Sequence, residues 1–265
     1  MMRKKFVKFK KIEIRRNGMI HQNSRTARVM GPEALETLAQ KHVAIFGVGG
    51  VGGYVAEALA RSGVGTIEII DNDDISLTNL NRQIIATRST VGQVKVTAMA
   101  NRIRDINPDI QVIAHRTFYM PEQAEHFDFS AFDYVIDAID TVTAKLDIIR
   151  RCYELGTPVI SAMGCGNRFD PTKLVVTDIY KTQMDPLAKV IRRELRKDGI
   201  RKLKVVYSTE APIPPYEDEE ETTRRSLPGS TPFVPAAAGL IIASEVVREL
   251  TGFDPSDRLR GGRQK

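Results

Sequence analysis

Apolar residues along this chain follow two spacings in turn. Compact runs rich in Val and Ile, namely HVAIFG, TIEIID, IQVIAH, FDYVIDAID and PVISAM, read as buried strands. Between them, stretches at 51–62, about 92–105 and about 142–155 repeat their apolar positions at helical spacing. This alternation predicts a Rossmann-like, doubly wound α/β fold with a mostly parallel sheet. Beyond Gly166 the pattern loosens into KLVVTDI, a helix from about Pro186 to Lys197, KVVYS and a last helix near 235–250. These later segments are expected to extend the same sheet at its C-terminal end. The expected organisation is a short arm over 1–23 and one domain over 24–265, with a nucleotide half at about 42–165 and a substrate half at about 166–252. PIPPYEDEEETTRRSLPGSTP, at 212–232, is rich in proline and acid and reads as a loop.

Composition narrows the class. The chain has 265 residues, 42% hydrophobic and 27% charged, as expected of an ordinary soluble globular protein. Its longest apolar run, FVPAAAGLIIASEVV, is too short for a membrane span and contains Glu245. The basic start has no apolar segment behind it, so export is not expected. Cys152 and Cys165 make neither a disulfide framework nor a zinc-binding C-x-x-C pair, which fits a reducing cytoplasm. His21, His42, His115 and His126 lack metal-ligand spacing.

Charge is concentrated rather than spread. Residues 1–16 hold eight Lys or Arg against one Glu, so the net charge of +6 resides in the arm. That arm is a grip on a phosphate backbone, a solvated tail, or a prefix to translation from Met19. Within the globular part, KVIRRELRKDGIRKLK at 189–204 carries eight basic and two acidic residues. As a helix it turns Val190, Ile191 and Leu195 inward and fans Arg192, Arg193, Arg196 and Lys197 outward, either as a solvated face or as a polyanion surface.

The chemistry centres on IFGVGGVGGYVAEALARSGVGTIEIIDND. Gly47, Gly49 and Gly52 fit G-x-G-x-x-G between a strand and a helix, with Gly50 in the same turn, where backbone approaches phosphate at a helix N-terminus. Asp71 ends the next strand, the place of an acid that takes ribose hydroxyls. By itself this pattern suits a dinucleotide oxidoreductase, or glycines that merely pack a helix on a strand. NLNRQ then supplies Asn79, Arg82 and Gln83, and VGQVK supplies Lys95. Backbone amides suffice for a dinucleotide pyrophosphate, whereas an ATP triphosphate also calls for fixed cations. Asp140, at the tail of the strand YVIDAID, is placed to hold Mg²⁺ against phosphate oxygens, while Asp137 reads as embedded in the strand.

GVGGVG, IIDNDDISLTNLNRQ, VGQVK and DAIDTVTAK, in this order and spacing, resemble the E1-like adenylating family, the group that includes ThiF, MoeB and HesA. The resemblance runs from about Ser24 to the final helix. It implies ATP and Mg²⁺ as cofactors, a ribose contact at Asp71, phosphate contacts at Arg82 and Lys95, and magnesium at Asp140. It also implies a homodimer in which Arg25 reaches the neighbour's ATP. The implied reaction is attack of a carboxylate on the α-phosphorus, with charge stabilised by Arg25, Arg82, Lys95 and the metal. MGCGNRFDPTKLVVTDIYKTQMDPLAKVIRRELRK and KVVYSTE are similar to the branch of that family that dehydrates N6-threonylcarbamoyladenosine at position 37 of tRNA. That resemblance implies tRNA as partner, with a sulfur-relay protein as a further one, and a monovalent cation near Gly164 and Gly166. The alternative is an adenylyltransferase that activates the C-terminus of a sulfur-carrier or ubiquitin-like protein. Cys165 is read as a small residue between glycines rather than a thioester nucleophile. Ser208 and Glu210 are placed near the substrate by resemblance alone.

Overall fold

The computed structural model describes residues 21–216, 228–256 and 259. Most of the basic arm and the acidic stretch at 217–227 lie outside the described residues. The strands are β1 (His42–Phe46), β2 (Thr66–Ile70), β3 (Gln111–His115), β4 (Tyr134–Asp137), β5 (Val159–Ala162), β6 (Leu174–Asp178) and β7 (Lys204–Ser208). They form one seven-stranded sheet in the order β3-β2-β1-β4-β5-β7-β6. All neighbours run parallel except β6, which pairs antiparallel with β7. The order reverses between β1 and β4, and ligands of open α/β sheets bind at such a switch point, beyond the carboxyl ends of the strands.

The helices are α1 (Ser24–Met30), α2 (Pro32–Leu38), α3 (Gly52–Ser62), α4 (Lys95–Ile106), α5 (Val142–Leu155), α6 (Pro186–Lys197) and α7 (Phe233–Thr251). The central strand β1 explains the layering. Its side chains alternate across the sheet, so Val43 and Ile45 join α3, α4 and α7 on one face, while Ala44 and Phe46 join Phe127, Phe129 and Ile148 on the other. Burial on both faces is why the strand is a continuous apolar run. A third cluster packs α6 through Ala188, Ile191 and Leu195 against Leu146, Ile149 and Val205. No described helix is long and apolar enough to cross a membrane.

Several expectations change in detail. The helix expected from residue 92 begins at Lys95, because Gly92 takes φ +85° and residues 92–94 pair with 74 and 75 instead. The strand expected to run through Asp140 ends at Asp137, which puts Asp140 in the loop before α5. The short helices α1 and α2 were not foreseen, although Pro32 at a first helical position is a start signal. Arg192 does not fan outward. Its guanidinium turns back onto the carbonyls of Ile179 (3.4 Å) and Thr182 (2.8 Å) and onto the Thr182 hydroxyl, which satisfies acceptors at the end of a short 3₁₀ turn. Val190 is half-buried rather than in the core.

Candidate nucleotide site

The glycine loop leaves β1 at Gly47, whose φ of +89° and whose contact with the segment just after β4 both require glycine. A Cβ there would stand 2.7 Å from the carbonyl oxygen of Ala138. At Gly52, the first residue of α3, a Cβ would lie 1.8 Å from the Gly47 carbonyl oxygen, so the turn closes on itself only without side chains. The start of α3 is thereby held against the loop, with Gly53 N donating to Gly49 O and Tyr54 N to Val51 O, both at 3.0 Å.

Asp71 follows β2 and braces this loop. One carboxylate oxygen accepts the Val48 N–H (2.8 Å) and the other the Asp73 N–H (2.9 Å). Each oxygen keeps a lone pair for a ligand hydroxyl. Lys95 is 6% exposed at the first position of α4, where a positive charge opposes the helix dipole. Its Nζ lies 2.7 Å from Asp73 and 3.8 Å from Asp71, so two carboxylates hold the ammonium at the loop. Asp73 is a member of this group that sequence reasoning missed. The signal was the second acid of IIDND, one side-chain period beyond the first.

The NLNRQ turn folds over the same loop. Asn79, 9% exposed, closes a capping box with Ser76 and takes its N–H at 3.0 Å. The Arg82 side chain passes about one contact distance over Gly50, at 3.5 Å from the place of a Cβ, and Gln83 Nε2 lies 3.8 Å from the equivalent point at Gly49. Arg82 donates to Thr78 O and Asn81 Oδ1, both at 3.0 Å. Gln83 is buried, and its Oε1 has no partner among the described residues. Gly47, Gly49, Gly50, Gly52, Asp71, Asn79, Arg82, Gln83 and Lys95 are thus brought together.

Asp140 is exposed in the loop whose preceding residues, Ala138 and Ile139, touch Gly47. Asp137 is fully buried, with its carboxylate 2.7 Å from Lys145 Nζ and 2.5 Å from Ser161 Oγ. Lys145 also donates to Ala162 O at 3.0 Å. Burial pushes the Asp137 carboxyl up against the pull of Lys145, and its place is internal, as the strand reading expects. Among the described residues no group of three or more His, Cys, Asp or Glu is arranged to hold a metal. One exposed carboxylate beside a phosphate loop still suits Mg²⁺ carried on nucleotide phosphates, since that ion keeps its waters and takes one or two carboxylates.

Arg25 stands apart. It is exposed on α1, and Asn23, two residues before it, packs on Gly63 at the C-terminal end of α3. An 11-residue helix, about 16 Å long, separates that end from the glycine loop.

On the far side of the crevice, the residues 228–231 link the two turns that flank it. Ser230 O accepts Asn81 Nδ2 at 2.9 Å, and Gly229 O accepts Asn167 N at 2.7 Å. Arg168 is 3% exposed there. Among the described residues its side chain reaches only Met184 O, at 3.5 Å, and leaves Nε and Nη1 without partners. Gly164 N donates to Asp185 at 3.0 Å. Glu210 receives the N–H groups of Phe169 and Asp170, both at 3.0 Å, and Ser208 Oγ receives that of Glu210 at 3.1 Å. Both therefore serve this turn. Burial pushes the thiols of Cys165 and Cys152 up to about 12, which leaves neither a nucleophile at neutral pH.

A glycine loop at the switch point of a parallel sheet, with a lysine and an arginine gathered over it, defines a nucleotide-binding α/β protein suited to a triphosphate. The chain belongs to the ThiF family, whose profile matches residues 21–262. It is 48% identical over 242 residues to the tRNA threonylcarbamoyladenosine dehydratase of Bacillus subtilis, covering 88% of this chain and 95% of that one. The E. coli tRNA N6-threonylcarbamoyladenosine dehydratase in complex with ATP superimposes with a TM-score of 0.79 at 36% identity, covering 92% and 96% of the two chains. An adenylyltransferase and sulfurtransferase of maize is 36% identical over 150 residues, 56% of this chain and 31% of that one.

Proposed function

We propose that this protein dehydrates N6-threonylcarbamoyladenosine at position 37 of tRNA with consumption of ATP. The observation that carries the reading is the convergence of Arg82 and Lys95 on one glycine loop, in a chain similar along nearly its whole length to enzymes named for that reaction. The nucleotide half, at about 42–165, holds ATP: Asp71 takes the ribose, and Arg82, Lys95 and the α3 N-terminus take the phosphates. Asp140 would hold magnesium, which when bound would neutralise phosphate charge.

The threonyl carboxylate of the nucleoside attacks the α-phosphorus. A P–O bond forms to the carboxylate oxygen, and pyrophosphate leaves with the electrons of the broken bond. The positive side chains counter the negative charge that gathers on the phosphoryl group. An atom of the same nucleoside side chain then attacks the acyl carbon, and AMP leaves with the former carboxylate oxygen. The nucleoside has lost one water overall, and no side-chain nucleophile is needed. The substrate half, at about 166–252, receives the nucleoside. The working unit is a homodimer in which Arg25 completes the partner's site, and a sulfur-relay protein is a further partner. The reading needs no monovalent cation at the Gly164–Gly166 turn.

The test is mass spectrometry of nucleosides from threonylcarbamoylated tRNA incubated with protein, ATP and magnesium. Loss of one water, dependent on ATP and matched by AMP release, is expected. An unchanged nucleoside, with ATP–pyrophosphate exchange driven instead by a carrier protein ending in Gly-Gly, overturns the reading in favour of the adenylyltransferase.

A further inference from the structure

The basic stretch at 189–204 is not uniformly available to a ligand. Arg192 is spent on carbonyls, Arg193 and Lys197 share Glu194, and Lys204 reaches Glu245 and Glu249. Asp198 is held by Arg150 at 2.7 Å. Arg196, Arg201 and Lys202 have no carboxylate partner among the described residues, and all three are exposed. They gather at the C-terminal end of α6 and just beyond it.

Two clefts open there side by side, with Ile200 lining both. The first, of about 390 Å³, holds Arg196 and Arg201 with Tyr180, and the guanidinium of Arg196 lies over the tyrosine ring at 5.4 Å from its centroid. The Tyr180 hydroxyl donates to Ile200 O, which pins the ring. The second, of about 330 Å³, holds Lys202 and Tyr153, which is exposed. Cations without carboxylate partners among the described residues, each sharing a cleft with a tyrosine, are the elements of a surface that takes single-stranded nucleic acid: the charges answer phosphates, and a ring or a guanidinium plane offers a stacking face to a base.

The position sets these residues apart from the glycine loop of their own chain. Asp185 ties the start of α6 to Gly164 at the carboxyl edge of the sheet, and 12 residues of helix, about 18 Å, carry the chain to the opposite edge. Both clefts lie where β5 and β7 begin.

We propose that Tyr180, Arg196 and Arg201, with Tyr153 and Lys202, form a docking surface for nucleotides of the substrate tRNA other than the modified one. This rests on the tRNA reading above, and it adds where the RNA is gripped and by which groups. Two unpaired nucleotides fit the two clefts, one stacked on Tyr153 and one on the Arg196–Tyr180 pair, with phosphates at Arg201 and Lys202. Because the surface is remote from the glycine loop, it governs tRNA affinity and leaves turnover of the bound nucleoside alone.

The test is direct binding of threonylcarbamoylated tRNA to the full chain by filter retention across a salt series, alongside ATP-dependent dehydration. The Arg201→Ala/Lys202→Ala protein is expected to bind about tenfold more weakly, with the slope of log K against log salt reduced by about 1.5. Tyr153→Ala is expected to weaken binding at least about fivefold, and Tyr153→Phe to leave it unchanged. For every variant the KM for ATP and the kcat at saturating tRNA stay at wild-type values. Unaltered affinity and salt slope in the double variant overturn the proposal, as does a fall in kcat with affinity intact. Binding is read without turnover. A wild-type protein that grips tRNA through these residues but leaves the nucleoside mass unchanged therefore defeats the dehydratase reading and not this one.

Discussion

Asp137 and Asp140 differ by three positions and have different lives. The apolar run YVIDAID hides the point where the strand ends, so sequence periodicity carries the strand three residues too far. Hydrogen bonding shows the boundary: Asp137 is fully buried against Lys145 and Ser161, and Asp140 is exposed in the loop that touches Gly47. A buried ion pair is weak evidence for stability, but breaking one side leaves an uncompensated charge. Asp137→Asn is therefore expected to cost about 3–5 kcal/mol in urea unfolding. Most of that loss should return in Asp137→Asn/Lys145→Met, because the stranded ammonium is gone. A double variant no more stable than the single one contradicts this account. The sequence marks Asp73 as the second acid of IIDND but not its role, and the role of Arg168 is hidden for the same reason. Each becomes meaningful only through contacts distant along the chain: Lys95 for the first, and for the second, among the described residues, no carboxylate.

At the scale of elements, legibility followed the strength of local signals. α5 spans Val142–Leu155 and α6 spans Pro186–Lys197, the same bounds that spacing indicates, because each has clear punctuation. For α6 this is Asp185 and Pro186, with the Asp185 carboxylate accepting Ala188 N at 2.9 Å. α4 was misjudged at its start because a bridge between Asp74 and Val94 competes with the helix, and such pairing is non-local. Asp185 does more than cap, since its second oxygen takes Gly164 N. Asp185→Ala should cost about 2 kcal/mol or more, the loss of a cap plus an orphaned amide, while Asp185→Asn recovers part of it in chemical denaturation.

The α3–α4 contact makes a matching prediction for pH. Burial works to raise the Glu57 carboxyl, but hydrogen bonds from Arg102 and Arg61 prevail and hold it below the usual 4.5. A depressed carboxyl contributes stability above its ordinary value and loses that contribution as pH falls through the lowered one. Glu57→Gln should therefore be less stable at neutral pH and lose less stability on acidification below about pH 4.5 than the wild type does. Parallel stability-against-pH curves for the two proteins would refute this.

At the scale of the whole molecule, the sheet gathers nearly every candidate phosphate ligand at one switch point, yet Arg25 sits at the opposite end of α3. A residue so placed can serve ATP only through a second copy. In a two-fold dimer each site would then combine the glycine loop of one protomer with Arg25 of the other. Arg25→Ala and Asp140→Ala should each abolish dehydration alone. Co-refolded in equal amounts, half of the dimers are mixed. In each mixed dimer one site joins an intact Asp140 to an intact Arg25, so about a quarter of wild-type activity should return. If Arg25 acts within its own chain, or not at all, no mixture exceeds the sum of its parts. The same mixing experiment with Arg82→Ala in place of Asp140→Ala should restore activity equally, because Arg82 lies over the glycine loop of the same chain whose Asp140 follows the residues that touch Gly47.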